Sequence, residues 1–127
     1  MTRYLFIGNG IAANSAAGRI RDLDPEASIA FITDEPEPYF SRCALMYYVM
    51  DHCSRRDLYL HQGKRHEDLG AELIFDTVLG VNASASTVEL QKRGALSYDK
   101  LLIASGGLGR RLGVPGEDAD GITNFNT

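Results

Sequence analysis

The chain is 127 residues long, 44% hydrophobic and 24% charged, with a formal net charge of −4 at pH 7. That is room for one domain with its own core rather than two, in the composition of a folded protein and not of a disordered tail. The acidic balance, with no run of Lys and Arg longer than a pair, argues against nucleic acid as a partner, and no apolar run approaches the ~20 residues that cross a bilayer.

In chain order, Tyr4–Ile7 is a continuous apolar run stopped at once by Gly8, the pattern of a short buried strand. The spacing then predicts a helix over Ile11–Leu23, with Ala13, Ala17 and Ile20 on one face and Pro25 ending it. Ser28–Thr33 is a second apolar strand. Strand, helix and strand fit within about thirty residues, the length of a βαβ unit that binds a dinucleotide.

Inside that unit the small residues fall as Gly8-x-Gly10-x-x-Ala13. Each position has a mechanical reason: Gly8 permits a tight turn out of the strand, Gly10 lets the backbone approach a diphosphate, and Ala13 keeps helix and strand close. The free N–H groups at the helix start then face the phosphates, helped by the positive end of the helix dipole. Asp34 and Glu35 follow the second strand, where an acid can accept hydrogen bonds from a ribose diol and would repel a 2′-phosphate. The motif does not separate FAD from NAD, since both carry an ADP half.

Farther along, Cys43 opens "CALMYYVMD", read as a second helix packing Leu45, Tyr48 and Val49 inward. Leu73–Phe75 reads as a strand. Val78–Val81, Thr87–Gln91 and a stretch ending near Tyr98 then form an antiparallel meander with turns at "NASAS" and "KRG". Leu101–Ala104 is a fully apolar strand suited to the centre of a parallel sheet. It ends in Ser105-Gly106-Gly107, placed beside the Gly8 loop by the rule that ligands bind beyond the carboxyl ends of such strands. Cys43 and Cys53 are too few for a disulfide scaffold, and no secretory leader pattern opens the chain, so a reducing cytoplasm is the expected compartment. His52, Cys53, His61 and His66 lack the paired spacing of a zinc site, so no metal is expected.

Taken together, "YLFIGNGIAANSAA", "TDEPEPYFSR", the meander, "YDKLLIASGG" and "RRLGVPGED" resemble the amino-terminal FAD-binding part of the pyridine nucleotide-disulfide oxidoreductase family. The resemblance runs through essentially the whole chain. It implies an α/β, Rossmann-like three-layer fold, with a central parallel sheet and a small antiparallel meander, in which residues 1–127 form part of an FAD-binding domain. It matches Gly8, Gly10 and Ala13 to the diphosphate loop, Glu35 (or Asp34) to the acid on the adenosine ribose, and Arg42 to a basic residue near the cofactor. Val78 matches the position whose backbone meets the adenine, and Ala104, Ser105 and Gly106 match the turn that passes the flavin.

Cys43 resembles the redox cysteine of the family's single-cysteine branch, although Met46 stands where that pattern has proline. A thiol at a helix N-terminus beside Arg42 would have a larger thiolate fraction, which such chemistry needs, whereas a small buried hydrophobe is the other reading. The family also has a second βαβ unit for NAD(P)H, a segment completing the flavin domain and a dimerisation domain, none of which is recognisable here. The resemblance therefore implies the amino-terminal part of an enzyme in which NAD(P)H reduces FAD, and the flavin passes electrons to a disulfide, oxygen or a small redox protein; it allows a homodimer, and the sequence does not reveal the oligomeric state. A nucleotide-binding module without catalysis of its own is the alternative.

Overall fold

Alternation along the first strand sets the layers. The computed structural model describes residues 1–123, and in it β1 (Arg3–Ile7) turns Phe6 toward one face of a sheet and Leu5 toward the other. β2 (Ser28–Thr33) repeats the pattern in register, Phe6 opposite Phe31 and Leu5 opposite Ala30. The two phenyl rings stack with centroids 5.0 Å apart. Each such ring contributes roughly 1.5–3 kcal/mol by leaving water.

Helix α1 (Ile11–Leu23) covers the phenylalanine face. Ala13 and Ala17 bring its backbone close, and the core there also takes in Ala27, Ile29 and Leu69. A short α3 (Arg65–Asp68) leads into β3 (Glu72–Phe75), which pairs parallel to β2. Beyond it, β4 (Val78–Asn82), β5 (Thr87–Leu90) and β6 (Gly94–Ser97) form the antiparallel meander. Val88 and Leu90 of β5 pack on Leu5, Ala30, Ile32 and Ile74, so the meander covers the second face of the sheet. Helix, parallel sheet and meander are the three layers expected.

β7 (Lys100–Ile103) closes the parallel sheet, whose order is β3-β2-β1-β7. Its apolar sequence predicts a central strand, but among the described strands it lies at the edge, paired to β1 alone. Leu101 packs toward the meander, while Ile103 is 61% exposed. The apolar run marks a strand able to be covered on both faces; it does not say which neighbours are present.

The second expected helix also differs. It is α2 (Leu45–Val49), five residues preceded by a 3-10 turn at Arg42–Ala44, and none of its residues is buried. Tyr48 and Val49, expected inward, face solvent. A helix of little more than one turn cannot present a continuous apolar stripe to a core, so periodicity there carried no packing information. No helix among the described residues is long and apolar enough to cross a membrane.

Candidate nucleotide site

The carboxyl ends of β1, β2, β3 and β7 border a cleft of about 680 Å³. Gly8 stands where three of those strand ends meet. Its N–H donates to the Ile32 carbonyl at 2.8 Å, and the Ala104 N–H donates to the Ile7 carbonyl at 2.8 Å. Its φ is +108°, and a Cβ built there would lie 2.3 Å from the Ala104 carbonyl oxygen. Glycine is therefore demanded twice, by the turn and by the approach of β7.

Gly10 is a different case. Its φ is −83°, open to any residue, and a Cβ there would meet nothing within 4 Å among the described residues. The protein's own packing does not require glycine; what glycine preserves is free space at the head of a helix. Gly10 is the N-cap of α1 and supplies no side-chain bond, so the first-turn donors of Ile11, Ala12 and Ala13 have no carbonyl within the helix. A 13-residue helix with an uncapped start at a cleft suits an anionic group.

Ala13 itself does not reach the cleft surface. Its side chain is fully buried against the sheet, so only its main chain is available to a ligand.

Asp34 and Glu35 line the same cleft, past the end of β2. The Glu35 N–H bonds the Thr33 hydroxyl at 3.2 Å, and its carboxylate pairs with the Arg42 guanidinium, which also lies over the Phe40 ring. A carboxylate has about four lone-pair sites, so Glu35 can keep Arg42 and still accept from a diol. Val78 is half-buried at the start of β4, and Ala104, Ser105 and Gly106 form the opposite rim. Cys43 follows Arg42 but is exposed, in the 3-10 turn ahead of α2, and is not part of the cleft wall. The helix N-terminus expected to hold its thiol begins only at Leu45.

Sequence reasoning missed three polar residues. Asp76, buried beside Val78 in the cleft wall, accepts N–H bonds from Thr77 at 2.8 Å, Lys92 at 3.1 Å and Arg93 at 3.1 Å. Burial pushes its pKa up, but those three donors and the Lys92 charge outweigh that and hold it below the ordinary carboxylate value. It thereby ties the β5–β6 turn to the cleft. Asn14, 2% exposed, directs its amide at Asn9 and Gly10, and Asn9 in turn donates to the Glu37 carbonyl at 3.4 Å. A polar residue four places after Gly10, in the alanine-rich buried stretch of a helix, was the available signal.

A βαβ unit whose glycine turn opens an uncapped helix at the carboxyl edge of a parallel sheet is a Rossmann-type domain. The chain belongs to the pyridine nucleotide-disulphide oxidoreductase family, whose sequence profile matches residues 2–127. It is 28% identical, over 98% of its length, to the assimilatory nitrate reductase electron transfer subunit of Bacillus subtilis (strain 168), and covers 16% of that protein. It is 30% identical to rhodocoxin reductase of Rhodococcus erythropolis, covering 97% of this chain and 29% of the relative. Among solved structures, a NAD-dependent persulfide reductase from A. fulgidus superposes with a TM-score of 0.88 at 26% identity, over 98% of this chain and 25% of that one. The chain thus spans under a third of the relatives it matches.

Proposed function

We propose that the cleft holds FAD by its ADP half, within an oxidoreductase in which NAD(P)H reduces the flavin and the flavin passes electrons to a disulfide, oxygen or a small redox protein. The observation that carries this reading is the convergence on one cleft of the Gly8–Gly10 loop, the uncapped start of α1 and the Glu35 carboxylate. The names of the relatives support the electron-transfer part: nitrite reductase [NAD(P)H] of Bacillus subtilis (strain 168) and the ferredoxin reductase component of chlorobenzene dioxygenase from Cupriavidus sp. (strain PS12).

In this reading the Gly10 N–H and the first-turn N–H groups of α1 bind the diphosphate, and Glu35 accepts from the ribose, with Arg42 holding its carboxylate in place. Val78 offers main chain to the adenine, anchored by the neighbouring Asp76. Ala104, Ser105 and Gly106 border the far end of the cleft, where small residues leave room for a ring system. The flavin, when bound, supplies the hydride and electron chemistry. Cys43 has no part in this binding scheme.

Titrating the purified chain with FAD and with ADP tests the reading, with Gly10→Val as the control that fills the free space without straining the backbone. Both ligands are expected to bind the wild type, and the variant to lose at least about tenfold in affinity, or ~1.4 kcal/mol. Equal binding by the two proteins, or none by the wild type, overturns it. A flavin band that NADH does not bleach would assign this chain the module role within that scheme.

A further inference from the structure

We infer that Asn14 is a positioning residue that aims the diphosphate-binding N–H groups of the glycine loop, an inference that rests on the nucleotide reading above. Its Nδ2 lies 3.1 Å from the Asn9 carbonyl oxygen, 3.1 Å from Asn9 Oδ1 and 3.0 Å from the Gly10 carbonyl oxygen. Two of those acceptors are main-chain carbonyls, which only a donor can satisfy. The amide's orientation is therefore fixed by chemistry.

A trans peptide is planar, with its C=O and N–H pointing in opposite directions. The Asn9 carbonyl and the Gly10 N–H belong to one such unit, and the Gly10 carbonyl and the Ile11 N–H to the next. Drawing both carbonyls onto the buried Asn14 amide turns both N–H groups away from it, on the loop whose residues Gly8 to Gly10 line the cleft. The Gly10 carbonyl also accepts the Asn14 main-chain N–H at 3.1 Å, as any helix would arrange. The Asn9–Gly10 unit lies before the helix, and the Asn14 side chain supplies the bond that orients it.

The side chain is costly to keep for stability alone. Its Oδ1 is buried with no hydrogen-bond partner among the described residues, and such a group ordinarily destabilises. An apolar residue would remove that defect, at the expense of the Nδ2 bonds that hold the loop. Burial beside Ala13 and Ala17, in a helix otherwise packed through alanines, makes the amide an exception that loop geometry explains.

The test is Asn14→Leu in the full chain, with ADP and adenosine as probes and thermal unfolding alongside. Positioning predicts that ADP binding weakens about tenfold while adenosine binding changes less than about twofold, with thermal unfolding confirming that the variant is folded at the assay temperature. A purely structural role would weaken both ligands together. ADP binding by N14L at wild-type strength sinks the inference alone, whereas a wild type that binds neither probe sinks the nucleotide reading and the inference with it. Should N14L not fold, wild-type NMR decides. The Gly10 amide signal is expected to shift with ADP and not with adenosine, and a Gly10 amide indifferent to ADP overturns the inference.

Discussion

The glycine loop with β1 and β2, and the segment from Arg42 to Gly63, are neighbours in sequence and opposites in construction. In the first, each strand residue alternates between two buried faces, and the register pairs Phe6 with Phe31 and Ile7 with Ile32. In the second, short 3-10 turns flank a five-residue helix with no buried side chain, and Asp51, His61 and Gln62 take left-handed backbone. Buried pairing holds Gly8 so close to the Ala104 carbonyl that no methyl group fits between them. The Arg42–Gly63 segment has one side chain in the core, Leu58, and is otherwise held by polar bonds such as those to the Glu37 carboxylate, shared by Arg55 at 2.7 Å and Tyr59 at 2.6 Å.

Breaking the first region at its tightest point should have the largest effect. Gly8→Ala sets a Cβ against the Ala104 carbonyl and forces alanine into left-handed backbone, so unfolding free energy is expected to fall by roughly 2–5 kcal/mol. Urea denaturation measures it. The same substitution at Gly10 meets open space at ordinary φ and should change stability by no more than about 1 kcal/mol. Equal costs at the two positions would show that the contact between the loop and β7 is not tight in solution.

The contrast explains what the sequence could and could not disclose. Tyr4–Ile7, Ile11–Leu23 and Ser28–Thr33 were legible because each length, period and stop signal agrees with burial on both faces of one sheet. The cleft residues followed, since the turn at Gly8 and the acids after β2 occupy set places in a βαβ unit. α2 was misread because "ALMYYVMD" has helical content without a packing partner, and apolar residues alone do not say which way they face. Asp76 and Asn14 escaped because their roles lie in bonds to backbone groups, Lys92 and Arg93 for one and Asn9 for the other, which leave no motif.

Acid should loosen the well-packed region next, and more gently. His66 is buried with its ring edge-on to Phe31, centroids 4.7 Å apart, and its Nε2 has no partner among the described residues. Burial, then the Arg65 charge, lowers its pKa from the ordinary 6.5. The unfolded chain therefore takes up a proton before the folded one does, so stability is full above pH ~6.5 and falls as pH drops toward the folded value. Asp76 works in a separate, lower window, because its stabilisation is lost only as pH falls below the ordinary carboxylate value. Thermal unfolding between about pH 7 and pH 5 should show Tm declining in the wild type and a flatter profile in His66→Phe. A wild-type Tm that is level across this range would mean that the ring is solvated.

The smallest effect is expected where the second region looks most apolar. Val49 is 68% exposed on α2, so Val49→Asp removes no core contact and should move stability by no more than about 0.5 kcal/mol. Truncating the buried Phe31 to alanine, by comparison, should cost roughly 3–5 kcal/mol. The Val49 variant should also bind ADP as the wild type does, because the cleft wall includes Arg42 and no residue of α2. The charge makes this a demanding test. A carboxylate forced into an apolar contact loses its hydration, so a penalty well above 1 kcal/mol would mean that α2 is covered in solution and that the difference between the two regions is smaller than their exposure implies.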